Sequence, residues 1–152
     1  MTRRERGFTY VVVMFAVAVA AVAATRAMEG TAVFERQTRE AELLYIGGLY
    51  RDAIVSYHDN SPGTLRTYPK KLEDLLEDDR TSTLRRHLRK IYRDPVTGDS
   101  NWGLVMTADD RVMGVYSLSA KRPQKQGGFG GDNASFKDAQ SYQDWKFIHA
   151  QH

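Results

Sequence analysis

The chain has 152 residues, with 22 Lys and Arg against 19 Asp and Glu, and no cysteine. That length holds one domain and an appendage, and the lack of cysteine excludes disulfides and thiol chemistry while leaving the redox compartment open. The formal charge of +3 is no footprint for nucleic acid, because Arg3, Arg4 and Arg6 against Glu5 place two of those three charges before Gly7.

Residues 8–25 then form 18 consecutive uncharged positions of Phe, Tyr, Val, Ala and Met with two threonines. At about 1.5 Å per residue, a helix of that length spans roughly 27 Å, close to a hydrocarbon core of about 30 Å. About 125 residues follow, enough for one small core. The basic leader favours a cytoplasmic N-terminus and an exported C-terminal part. Three readings fit the run. It is an uncleaved signal anchor, or a secretory signal peptide with Ala21-Val22-Ala23 as its small-x-small cleavage site. In the third, a short leader is cut between Gly7 and Phe8, and the mature protein keeps the apolar helix. Two observations favour the third. A single Gly stands where charge gives way to hydrophobicity, followed at once by Phe-Thr. The run also passes from Thr25 into further helical pattern without a break at Pro or Gly.

Arg6-Gly7-Phe8-Thr9 ahead of a uniform apolar segment resembles the N-terminus of type IV pilins and type II secretion pseudopilins. The resemblance implies cleavage after Gly7 by a prepilin peptidase and N-methylation of Phe8. It further implies packing of the mature helix with its copies into a filament held in the bacterial inner membrane. Most members carry Glu at the fifth mature position, where this chain has Val12. The resemblance assigns that Glu to neutralising the N-terminal amine of a neighbouring subunit. A carboxylate in lipid is costly unless paired, so Val12 removes both a cost and a partner. This points to a minor or tip subunit, or to assembly by helix packing alone.

Beyond Arg26, Leu43, Leu44, Ile46, Leu49, Tyr50, Ala53, Ile54 and Tyr57 recur at three- and four-residue intervals, one buried helix face. The spacing predicts one helix from about Thr9 to His58, roughly 75 Å long if straight, stopped by Asn60-Ser61-Pro62-Gly63. Gly47-Gly48 inside it marks a kink or a close approach by another segment. Two short helices are expected next. One opens at Tyr68-Pro69, with Leu72, Leu75 and Leu76 on its inner face. The other runs from Ser82 to Tyr92, with Leu84, Leu88 and Ile91 inward and Arg85, Arg86, Arg89 and Lys90 outward. Such a basic face suits nucleic acid, anionic lipid or an acidic partner. The plainer reading is a solvated helix paired with the acids of its neighbour, Glu73, Asp74, Glu77 and Asp78.

Arg93 to Gly98 reads as a turn. Trp102–Met106 and Arg111–Leu118 read as strands about an Asp109-Asp110 tip. Residues 119–140, with Gly127 to Gly131 at the centre, read as a mobile loop. Tyr142–Ile148 is expected to be a last strand closing the sheet. The fold class is α+β, in four parts: a leader (1–7), an apolar half-helix (8–25), an amphipathic half-helix (26–62) and a head (63–152). That order is similar to the pseudopilin head, in which a long helix packs on a small antiparallel sheet. Tyr68-Pro69…Leu72…Leu75, Asp94-Pro95…Gly98…Trp102-Gly103 and Tyr116-Ser117-Leu118 look like the type II secretion branch. Type IV pilins usually close their C-terminal region with a disulfide, and the absence of cysteine points the same way.

No constellation for catalysis is visible. His58, His87, His149 and His152 have no metal-ligand spacing. Asp109-Asp110 is a hairpin tip, Gly127 to Gly131 lacks the Lys-Ser/Thr of a phosphate loop, and no Ser-His-Asp order stands out. No cofactor is expected. The resemblance brings with it a calcium site in the loop after Tyr116-Ser117-Leu118. Here Lys121, Arg122 and Lys125 stand in that loop, and Asp132, Asn133 and Asp138 remain as oxygen donors. The expectation is a non-enzymatic subunit of a type II secretion or related envelope filament serving protein transport, with its head in the periplasm. By resemblance its partners are other pilin-like subunits, the prepilin peptidase, a platform protein, an assembly ATPase and membrane lipid, and not nucleic acid. The alternative is a monomeric membrane-anchored periplasmic protein whose basic helix and Gly-rich loop hold an acidic partner.

Overall fold

The computed structural model describes residues 5–149, without the side chains of 5–7 and 27–30. The first four leader residues and His152 lie outside the described residues, and so does the side-chain environment of the Gly7 junction. Helix α1 covers Glu5–Asp59. The chain divides into two units, Met1–Gln37 and Thr38–His152. In the first, every described side chain from Phe8 onward is exposed.

The second unit is α+β. The part of α1 within it buries Leu43, Ile46, Tyr50, Ala53, Ile54 and Tyr57 along one face, the three- and four-residue spacing of an amphipathic helix. Opposite stand strands β1 (Gly103–Met106), β2 (Val112–Tyr116) and β3 (Phe147–Ile148), antiparallel in the order β1-β2-β3. Val112, Val115 and Phe147 point from the sheet into the core, each fully buried side chain contributing about 1.5–3 kcal/mol. At Gly47 a Cβ would overlap the Phe147 ring. Gly47 therefore lets β3 approach the helix, at the roughly 1 kcal/mol that Gly costs relative to Ala in a helix, whereas a Cβ at Gly48 would meet nothing within 4 Å.

Four sequence expectations change. Ser82–Tyr92 is not a helix. Its backbone N–H groups bond sideways: Asp78 and Arg85 exchange N–H···O bonds of 2.8 and 3.1 Å, and the His87 and Leu88 amides both donate to the Leu75 carbonyl at 2.9 Å. Leu88 is thereby buried while Leu84 stays 54% exposed, so tertiary bonding overrides a helical apolar period. The segment after Tyr68-Pro69 is only a 3-10 turn, Leu72–Leu75. Asp74 Oδ2 accepts the Lys70 and Lys71 amides, and Val112 N–H donates to the Pro69 carbonyl, which ends the regular structure early.

Residues 119–140 are anchored rather than free. They contain a 3-10 segment, Gly131–Phe136, and bury Pro123, Phe136 and Ala139. Phe136 stacks on Trp145 with ring centroids 5.6 Å apart and meets Phe147 edge-on at 5.0 Å. The last predicted strand shortens to Phe147–Ile148, because Tyr142–Asp144 forms a 3-10 turn capped by the Asp144 carboxylate. That carboxylate takes the Ser141 and Gln140 amides, which hold its pKa below the ordinary value.

Candidate functional site

The feature least accounted for within one chain is the apolar stretch. Phe8 is 75% exposed, Phe15 71% and Val22 63%, and no charge falls among residues 8–25. The side chains point all round the helix, so no rotation of it hides them. Contiguous apolar surface of that extent is foreign to a soluble monomer. The helix is long and apolar enough to cross a membrane. At its far end Thr25 Oγ1 donates to the Ala21 carbonyl at 2.9 Å, which spends its proton within the helix and suits it to lipid. Phe8 and Val12 lie four residues apart, hence on one helix face, and Val12 is 48% exposed. Neither gathers a polar site around it among the described residues.

In the second unit, two α1 side chains hold the Gly-rich segment. Glu40, 4% exposed, receives the Tyr142 hydroxyl at 2.7 Å and the amides of Gln124 and Lys125. Arg51 stands about three turns further along. It donates to Asn133 Oδ1 at 2.8 Å and lies 3.8 Å from Asp132 Oδ2. Two of the three calcium donors named from the sequence therefore face a guanidinium, which brings to those oxygens the positive charge a calcium ion would supply. Asp138 is set apart in a backbone turn, at φ 58° with its amide on the Gln126 carbonyl. Among the described residues, no three His, Cys, Asp or Glu side chains gather into a metal site.

Sequence order also hid two clusters. Asp78, 1% exposed, takes Arg80 Nε at 2.7 Å, Arg80 Nη2 at 2.8 Å and His87 Nε2 at 3.1 Å. The Arg80 hydrogen bonds, helped by His87, hold its carboxyl well below the usual range against the opposing pull of burial. The other His87 nitrogen meets Ser56 Oγ at 2.8 Å, so a Ser56–His87–Asp78 line does form. Its carboxylate is committed to Arg80, and Ser56 sits within α1, whose amides are spent in the helix. The helix therefore supplies no free backbone amide beside Ser56.

Arg80 also donates to the Tyr57 carbonyl, Ser61 Oγ and Thr67 Oγ1, and lies 3.5 Å over the Tyr57 ring. The cluster thus ties the end of α1 to the segment after it. The second cluster stacks His58 on Tyr68 at 4.5 Å and brings the His149 ring within 5.0 Å of His58. These contacts span the chain, from residue 58 to residue 149, and no local spacing announces them. Asp109-Asp110 is the hairpin tip, with Asp109 Oδ1 accepting the Thr107 hydroxyl.

The cations of 85–93 divide. Arg86 approaches Glu77 at 3.7 Å and Arg85 meets the Asn60 side chain, whereas exposed Arg89, Lys90 and Arg93 make no ion pair among the described residues. No protein-family model, no curated protein and no solved structure significantly matches the chain.

Proposed function

We propose that the chain is a pseudopilin-like structural subunit of an envelope filament of the type II secretion kind. The leader would be removed between Gly7 and Phe8, the new Phe8 amine methylated, and the apolar helix held in the inner membrane until it packs with other pilin-like copies. One observation carries this reading. The Gly7-Phe8 junction opens directly onto 18 uncharged helical residues whose side chains are all exposed. Such a surface needs lipid first and neighbouring helices afterwards. The order of a long helix, a hairpin and a short closing strand around an α+β core is in keeping with it. So is a polar interior committed to structural bonds rather than to an open reactive site.

Val12 shapes the mechanism. With no carboxylate to satisfy in the bilayer, association of the stretch rests on side-chain packing. Partners carrying Glu at that position would contribute the charge that this chain lacks.

The mass of the mature N-terminus tests the reading. A methylated Phe8 start is expected. An intact Met1 overturns it and leaves the membrane-anchored monomer, whose partner would meet the exposed Arg89, Lys90 and Arg93; a start at Ala24 overturns it and leaves a secreted chain without the apolar stretch.

A further inference from the structure

His58 stands in the last turn of α1, and His149 follows β3. Their rings lie 5.0 Å apart, centre to centre, and cross at 73°. The backbone of residue 149 is held against β2, with its amide donating to the Met113 carbonyl at 3.1 Å. Each Nδ1 already has an oxygen. His58 Nδ1 is 3.0 Å from Asp59 Oδ1, and His149 Nδ1 is 3.1 Å from the Tyr68 hydroxyl. The Tyr68 ring also stacks on His58 at 4.5 Å, so both imidazoles are fixed by neighbours. The two Nε2 atoms are left over. Neither makes a hydrogen bond or an ion pair among the described residues. Nor is either ring sealed from solvent: the His58 side chain is 14% exposed, and His149 is half-buried.

Such a pair is half of a metal site. Two imidazoles bound to one tetrahedral ion through nitrogens at about 2.0–2.1 Å have ring centres about 5 Å apart. A ligating histidine commonly gives its other ring N–H to a carboxylate or another oxygen, which sets the tautomer that leaves Nε2 for the ion. Asp59 and Tyr68 occupy those two places.

We propose that His58 and His149 bind one divalent ion of the zinc, nickel or copper class through their Nε2 atoms, with water completing its shell. Imidazole nitrogens take such ions in preference to magnesium and calcium, which seek oxygen. The ion ties the end of α1 to the residue after β3. Those two parts meet only in the folded head, so binding favours the native state. The two ligands are far apart in the sequence, and no local spacing shows them. The site lies within the second unit and does not depend on the assembly reading.

The full-length chain in detergent, purified without a histidine tag, tests the site. Titration calorimetry is expected to find one zinc or nickel ion per chain and no binding of magnesium or calcium. In NMR the ring signals of His58 and His149 should both shift on addition of zinc. Those of His87, whose two nitrogens already meet Asp78 and Ser56, should stay in place. His58→Ala and His149→Ala should each remove saturable binding, and Asp59→Asn should weaken it about tenfold. The NMR measurement reads the unaltered chain, so it decides the matter even where a variant fails to fold. No saturable zinc binding by the unaltered chain overturns the proposal. So does binding that survives the loss of either imidazole. Shifts confined to His149 and His152 overturn it as well, since they place the ion on the end of the chain alone.

Discussion

The apolar stretch and the face of α1 that packs in the head use the same residue types to opposite ends. Leu43, Tyr50 and Ile54 are fully buried, while Phe8 and Phe15 are more than two-thirds exposed. Spacing, not hydrophobicity, separates them. Apolar residues at three- and four-residue intervals make one stripe, which a small sheet can cover. Apolar residues at every position make a cylinder, which only a surrounding apolar medium or several helices can cover. The polar groups follow the same division. The head encloses carboxylates and supplies each with donors, whereas residues 8–25 contain none to enclose.

Asp78→Ala strikes the head where that contrast is strongest. It strands the Arg80 guanidinium, 19% exposed, and the His87 ring, 2% exposed. Breaking a buried charge pair from one side costs about 4 kcal/mol, so the head of the full chain in detergent should lose its cooperative thermal transition. Acid should act through the same group. The folded pKa of Asp78 is depressed by the Arg80 hydrogen bonds first and by His87 next. Its stabilising contribution is therefore complete above the unfolded carboxyl value of about 4 and is lost as pH falls below it. Asp78→Asn should flatten that part of the acid titration. An unchanged acid midpoint would place the sensitive group elsewhere.

Phe15→Asp turns to the stretch. A carboxylate in the middle of a spanning helix costs about 3 kcal/mol of insertion free energy. The variant should become extractable from membranes by alkaline carbonate while the far-ultraviolet spectrum of its head stays native. Retention in the pellet would mean that the stretch is held by protein rather than by lipid.

The same division decides what could be read from sequence. The stretch and the core face of α1 were legible because each pattern is local. Gly47-Gly48 was legible as a choice between kink and close approach, and the Phe147 ring decides it. Leu84, Leu88 and Ile91 carry a helical period just as regular, yet the segment is not helical. Its amides are taken by Leu75 and Asp78, about ten residues away in sequence and invisible to a periodicity count. The residues 119–140, poor in apolar side chains and rich in Gly, showed nothing of Glu40. Its bonds reach across 84, 85 and 102 positions. Composition reports how free a loop is when nothing holds it, and here two α1 side chains do.

Glu40→Gln tests that hold. An amide in place of the carboxylate turns an NH2 group toward at least one of the donors that Glu40 accepts. Losing charge-assisted bonds at a buried position should cost about 2 kcal/mol. Hydrogen exchange should quicken at Gln124 and Lys125 and through the 119–140 segment, while the Val112 and Val115 amides of β2 keep their protection. Uniform exchange across the head would mean that the segment and the sheet open as one unit.

Leu65→Asp should do almost nothing, and this makes it the sharpest of the set. Leu65 is 80% exposed, more than Phe15, so exposure alone predicts equal consequences for the two substitutions. The difference lies in the surroundings. Leu65 is a single apolar side chain in the irregular segment between α1 and Tyr68, where an isolated surface leucine needs no cover. A surface substitution of that kind stays within about 0.5 kcal/mol, and membrane retention should equal that of the unaltered chain. A large effect at Leu65, in stability or in crosslinking between copies, would extend the covered surface from the helix onto the head. Equal and small effects at both positions would remove the lipid from the account of residues 8–25.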